Sequence, residues 1–149
     1  MQSDETSGTV IKAWARLVRA ANTTLGAVEQ DLKAAGLPPL GWYDVLLELK
    51  RAGDEGLRPY ELEHELLLAQ HNVSRLLERL AKQRLVERRP CREDGRGLVV
   101  AITPAGLDLL TRMWPVYRSS IGRHVGAKLT EGEADSVQRL LAKLVTTSS

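Results

Sequence analysis

Three observations predict a mostly α chain with a small β-hairpin. Leucine is the leading apolar residue, aromatics are 4% of the 149 residues and phenylalanine is absent, which favours helix formers over β-enriched types. Apolar residues recur at spacings of three and four along most of the chain. A change of period falls after residue 84, where two short apolar-containing runs flank a polar, glycine-containing stretch.

The first element is a long helix over about residues 7–35. Ile11, Trp14, Val18, Ala21, Leu25, Val28 and Leu32 draw an apolar seam down one face for about three heptads. That stripe exceeds what a small domain needs for itself. Gly36 ends the helix and Pro38-Pro39 prevents its continuation. A second helix is expected over about 41–51, with Trp42, Val45, Leu46 and Leu49 on one face. Gly53 and Gly56 bracket a polar turn, and Pro59 suits the first turn of a third helix reaching Leu67. After a break near Leu68-Ala69-Gln70, a fourth helix is expected over about 71–83 with Val73, Leu76, Leu77 and Leu80 inward. Two short helices joined by a tight turn, the second opening on polar residues, describe a helix-turn-helix.

Residues 85–89 and 98–102 have strand character, and the polar loop 90–97 between them completes a basic hairpin, a wing. Thr103 as cap and Pro104 in the first turn then open a fifth helix carrying Leu107, Leu110, Trp114, Tyr117 and Ile121. Pro115 inside it should kink it or remove one backbone hydrogen bond. Thr130-Glu131-Gly132-Glu133 has capping-box spacing and opens a last helix with Val137, Leu140, Leu141, Leu144 and Val145 apolar. The expected organisation is a winged helix-turn-helix core over 36–103, with helices for dimerisation over 1–35 and 104–149.

Charge is unevenly placed. The net charge is only +2, yet residues 69–98 hold eight basic side chains against four acidic ones, so the rest of the chain is acidic. A basic segment on an acidic body fits a surface that meets phosphates, although a solvated helix face would also tolerate it. The single cysteine, Cys91, cannot form an internal disulfide, which points to a reducing, cytoplasmic compartment. The first residues lack a signal pattern and no apolar run approaches membrane-spanning length, so a soluble protein without membrane partners is expected. No nucleophile–base motif, phosphate loop or carboxylate pair is present, and His64, His71 and His124 lack ligand spacing. The expectation is therefore no enzyme, no cofactor and no metal.

The stretches 61–66, 73–80 and 85–88 resemble the helix-turn-helix and first wing strand of the MarR family of bacterial transcriptional regulators. Asp94-Gly95-Arg96 is similar to that family's Asp-x-Arg wing. Ile102-Thr103-Pro104-Ala105-Gly106 is similar to its exit into the next helix, and 40–46 to the second-helix opening of one subgroup. The chain departs where members usually carry glycine, at Leu67 and Arg84, and where they carry small Ser/Thr residues, at Ala69, His71 and Asn72.

The resemblance implies a homodimer on double-stranded DNA, acting as a repressor at a pseudo-palindromic operator and released by a small aromatic effector. Gln70, His71, Asn72, Ser74 and Arg75 lie at the head of the recognition helix, where base edges are reached; capping is the alternative role for Gln70 and Asn72. Arg79 fits a phosphate or solvent, as does Lys82. Arg88 and Arg92, with the neighbouring Arg89, fit phosphates. In the wing, Arg96 resembles the minor-groove arginine, with Asp94 orienting it or simply turning the loop. Trp14, Trp42, Tyr43 and Tyr117 are the effector candidates, with core packing as the competing role. A redox role for Cys91 lacks a resolving partner in the chain. The alternative function is a winged-helix dimer that serves as a protein-interaction module with no operator of its own.

Overall fold

The computed structural model describes residues 5–69, 72–90 and 97–145. In chain order the elements are α1 (Gly8–Ala34), α2 (Leu40–Ala52), α3 (Pro59–Glu65), α4 (Val73–Lys82), β1 (Val86–Pro90), β2 (Leu98–Ile102), α5 (Pro104–Ile121) and α6 (Glu131–Val145). A 3₁₀ turn covers Gly53–Glu55 and a π turn covers Gly122–Gly126. The mostly α, winged helix-turn-helix class predicted from sequence is the observed one. The chain divides into two compact units, Leu32–Tyr117 and the pair of segments Met1–Asp31 and Arg118–Ser149.

The unit Leu32–Tyr117 contains the winged core. Leu32, Leu40, Leu46, Leu49, Leu62, Leu80 and Met113 are fully buried in it, with Val73, Leu77, Val86 and Val100 beside them. β1 and β2 pair antiparallel, Val86 opposite Ile102 and Pro90 opposite Leu98. Leu57 adds a bridge to the other side of β2, exchanging both backbone hydrogen bonds with Val100 at 2.9 and 2.8 Å. Gly56 permits that approach. It has φ +69°, and a Cβ there would stand 2.4 Å from the Val100 carbonyl oxygen.

Two helix ends in this unit share one geometry. After α1, the Gly36 N–H donates to the Lys33 carbonyl at 3.0 Å and the Leu37 N–H to the Leu32 carbonyl at 2.9 Å. After α4, the Arg84 N–H donates to Ala81 and the Leu85 N–H to Leu80, both at 2.9 Å. Both are Schellman motifs, which need a left-handed residue. Gly36 supplies it at φ 73°, whereas Arg84 adopts φ 60° despite its Cβ. Arg84 is one of the two positions where the family usually has glycine. The other, Leu67, does not take a positive φ, so glycine is not required there.

The structure shifts several predicted boundaries. α3 stops at Glu65 rather than near Leu67, because the Leu67 and Leu68 N–H groups turn to the Asp44 carboxylate instead of to helical carbonyls. The first strand begins at Val86 because Leu85 closes the Schellman motif. The fifth helix starts as expected, the Thr103 hydroxyl accepting from the Gly106 N–H at 3.1 Å. It continues through Pro115, which deprives the Thr111 carbonyl of its helical donor.

The unit of Met1–Asp31 and Arg118–Ser149 is built differently. The Thr130 capping box forms at both ends: the Glu133 N–H donates to the Thr130 hydroxyl at 3.1 Å, and the Thr130 N–H to the Glu133 carboxylate at 2.9 Å. Asp31 Oδ2 gathers three donors from one stretch of chain, the Ser120 hydroxyl at 2.5 Å, Arg123 Nη2 at 2.7 Å and His124 Nε2 at 2.9 Å. First the Ser120 and then the His124 hydrogen bond hold the Asp31 carboxyl down at about 2. Val28 and Ser120 are buried, but Val10, Ile11, Trp14, Val18 and Leu25 of α1 are exposed, and α6 buries no residue.

Candidate nucleic-acid interface

The outward face of α4 follows from its spacing. Val73, Leu77 and Leu80 occupy the inner side, which turns Ser74, Arg75, Glu78, Arg79 and Lys82 to solvent. Arg75, Arg79 and Lys82 step by four and three, so their side chains line one stripe. Arg88 of β1 is exposed and joins them, although it alternates onto the same face as the buried Val86. Arg75, Glu78, Arg79, Ala81, Lys82 and Arg88 enclose a surface depression of about 510 Å³. Four cations thus share it with one carboxylate, and none of the four is ion-paired with another described residue. Cations held this close repel one another and raise the local potential for an anion. Arg89, one residue on, behaves otherwise: its Nε lies 2.9 Å from Glu87 and its Nη1 donates to the Asp54 carbonyl at 3.1 Å.

Asn72 caps α4, its Oδ1 accepting from the Arg75 N–H at 2.9 Å. Bidentate pairing with adenine would need that same oxygen, so the capping role weighed from sequence is the one the geometry displays. Gln70, His71, Cys91, Arg92, Asp94 and Arg96 lie outside the described residues.

The segment feeding α4 is held from α2. Asp44 is only 6% exposed, and its two carboxylate oxygens accept from consecutive backbone N–H groups, Leu67 at 2.9 Å and Leu68 at 2.7 Å. Sequence reasoning missed this residue. The available signal was an aspartate one turn after Leu40 and flanked by Tyr43, Val45 and Leu46, a charge at a core position that burial would penalise unless paired.

Of the aromatic candidates, Tyr43 and Tyr117 come together. Their ring centroids are 5.1 Å apart edge-on, and Trp114 completes the cluster at 6.2 Å from Tyr43 and 5.7 Å from Tyr117. Burial pushes both phenol pKa values up; at Tyr117 the Asp44 carboxylate adds to the rise. Trp42 is half-buried on α2, and Trp14 on α1 is 66% exposed. Among the described residues no group of His, Cys, Asp and Glu could hold a metal ion, and no helix is long and apolar enough to cross a membrane.

Residues 35–97 match the family model of the MarR family. No curated protein matches the chain in sequence. Among solved structures, Sco3205, a MarR family transcriptional regulator from Streptomyces coelicolor in complex with DNA, superposes with a TM-score of 0.82 at 23% identity, covering 99% of this chain and 94% of its own. A mutant of Escherichia coli MarR complexed with operator DNA superposes at 0.77 with 22% identity, over 95% of this chain and all of its own. Bordetella bronchiseptica BpsR, whose DNA binding is regulated by 6-hydroxynicotinic acid, gives 0.77 at 21% identity over 99% of both chains.

Proposed function

We propose that this chain, whose residues 35–97 match the model of the MarR family, is a transcriptional regulator that binds duplex DNA as a homodimer in the cytoplasm. The observation that carries this is the stripe of Arg75, Arg79, Lys82 and Arg88, four cations without ion-pair partners among the described residues on the outer face of α4 and its adjoining strand. α4 supplies base contacts through Ser74 and Arg75, while Arg79, Lys82 and Arg88 meet phosphates, which position the helix without reading sequence. The exposed seams of α1 and α6 supply the dimer contact, Trp14 included. Two-fold symmetry then sets two half-sites about one helical turn apart on a pseudo-palindromic operator.

A small aromatic effector is proposed from the likeness to BpsR, whose DNA binding is regulated by 6-hydroxynicotinic acid, and the proposed mode is repression that the effector relieves. Trp114 and the half-buried Tyr117 and Trp42 are the rings proposed to meet it, while Tyr43 is buried in the core and packs against Trp114 and Tyr117. Such an effector acts only through a difference in affinity between the DNA-competent dimer and another arrangement.

The test is a fluorescence titration with duplex from upstream of the chain's own gene, against excess unrelated duplex, at several salt concentrations. Tight binding should survive the competitor. Arg79→Ala and Lys82→Ala should each lower the slope of log affinity against log salt by about one. Binding no tighter than to unrelated duplex, with the same result for duplex selected from a random pool, would move the function to a protein-interaction module.

A further inference from the structure

A buried carboxylate is costly unless its oxygens are satisfied, and Asp44 satisfies both by taking consecutive backbone N–H groups 23 and 24 residues away. Those two groups belong to the segment joining α3 to α4. We propose that Asp44 is the positioning residue of the helix-turn-helix, pinning that segment to α2 so that the head of α4 stands where bases can be read. The role rests on the DNA-binding reading above.

Three features make the clamp effective. It is bidentate, so it fixes direction as well as distance, which apolar packing does poorly. It projects from a helix that is itself held, since Val45, Leu46 and Leu49 are fully buried and Tyr43 is stacked into the ring cluster. Nothing replaces it at Leu67, whose side chain is 76% exposed and so anchors nothing. The body of α4 is seated by Val73, Leu77 and Leu80, but Leu68 lies five residues before Val73, and its hydrogen bond governs the approach to the helix rather than the helix itself.

The experiment uses the full chain and a duplex that the wild type selects from a randomised pool. Asp44→Asn keeps one acceptor and turns an amide donor towards the second N–H. Affinity for the selected duplex should fall about tenfold or more, the range for hydrogen bonds to a charged group. Affinity for unrelated duplex, which depends on Arg79, Lys82 and Arg88, should change by less than about twofold. Amide hydrogen exchange should quicken at Leu67 and Leu68 while staying unchanged at Leu46 and Leu49. Should Asp44→Asn not fold, Asp44→Glu, with both acceptors on a longer arm, is measured in its place with the same readouts. Equal losses for both duplexes, or an unchanged ratio between them, overturn the positioning role. A wild type that selects no duplex overturns the regulator reading itself, a failure visible before any variant is made.

Discussion

Helices α4 and α6 carry the same apolar quartet at the same spacing. In α4 it is Val73, Leu76, Leu77 and Leu80, and in α6 it is Val137, Leu140, Leu141 and Leu144. In α4, Val73, Leu77 and Leu80 are buried and Leu76 is half-buried. In α6 all four are exposed, Leu144 by 67%. An apolar stripe therefore says that a helix wants a cover and does not say which surface provides it. For α4 the cover is the core of its own unit. For α6, and for the exposed seam of α1, a second copy of the chain is the proposed cover.

The sharpest way to break this contrast is to charge the uncovered stripe. Leu140→Glu with Leu144→Glu should convert the dimer to monomer in sedimentation velocity while leaving the helical circular dichroism of the winged core in place. A wild type that sediments as a monomer at tens of micromolar would remove the premise. The matching change on the covered stripe is Leu80→Ala. With the side chain fully buried, it should cost about 2–5 kcal/mol in urea unfolding, whereas Leu140→Ala in α6 should leave that core's transition unmoved.

A smaller effect separates the two Schellman ends. Arg84 holds the left-handed conformation that Gly36 adopts freely, so Arg84→Gly should stabilise the core by about 1 kcal/mol. A lower urea midpoint for that variant would mean the Arg84 side chain contributes more than its backbone costs. The smallest effect belongs to Asp31. Its carboxyl titrates at about 2 when folded against 3.8 otherwise, so its stabilisation is complete above 3.8 and fades as pH falls towards 2. Asp31→Asn should flatten that part of the pH–stability curve, and an unchanged slope between pH 5 and pH 2.5 would show the cluster to be energetically idle.

Much of the fold was legible from local rules. The six helices, the Thr103 and Thr130 caps and the Gly36 stop each follow from neighbours within about four residues, the reach of capping and helical periodicity, and the two wing strands from a change of period over five residues each. The outward cations of α4 were legible for the same reason, since burying Val73, Leu77 and Leu80 leaves Arg75, Arg79 and Lys82 on the other side. What escaped depends on partners distant in sequence. The end of α3 moved because Asp44 captured two of its would-be helical donors, Arg89 was drawn to the Asp54 carbonyl, and Asp31 met donors near residue 120.

By itself the sequence determined which segments are helical, where the wing stands, which face of each helix is apolar and where positive charge collects. These are consequences of side-chain periodicity and backbone capping, which act over one or two turns. Only the tertiary structure decided that Asp44 and not a helical carbonyl receives the Leu67 and Leu68 N–H groups, that Arg84 takes a glycine's conformation, and that one Val-Leu-Leu-Leu stripe is covered and its twin is not. For Asp44 and for the two stripes the physical reason is the same. Burial and hydrogen-bond satisfaction are settled by whatever surface arrives in space, and that surface comes from elsewhere in the chain.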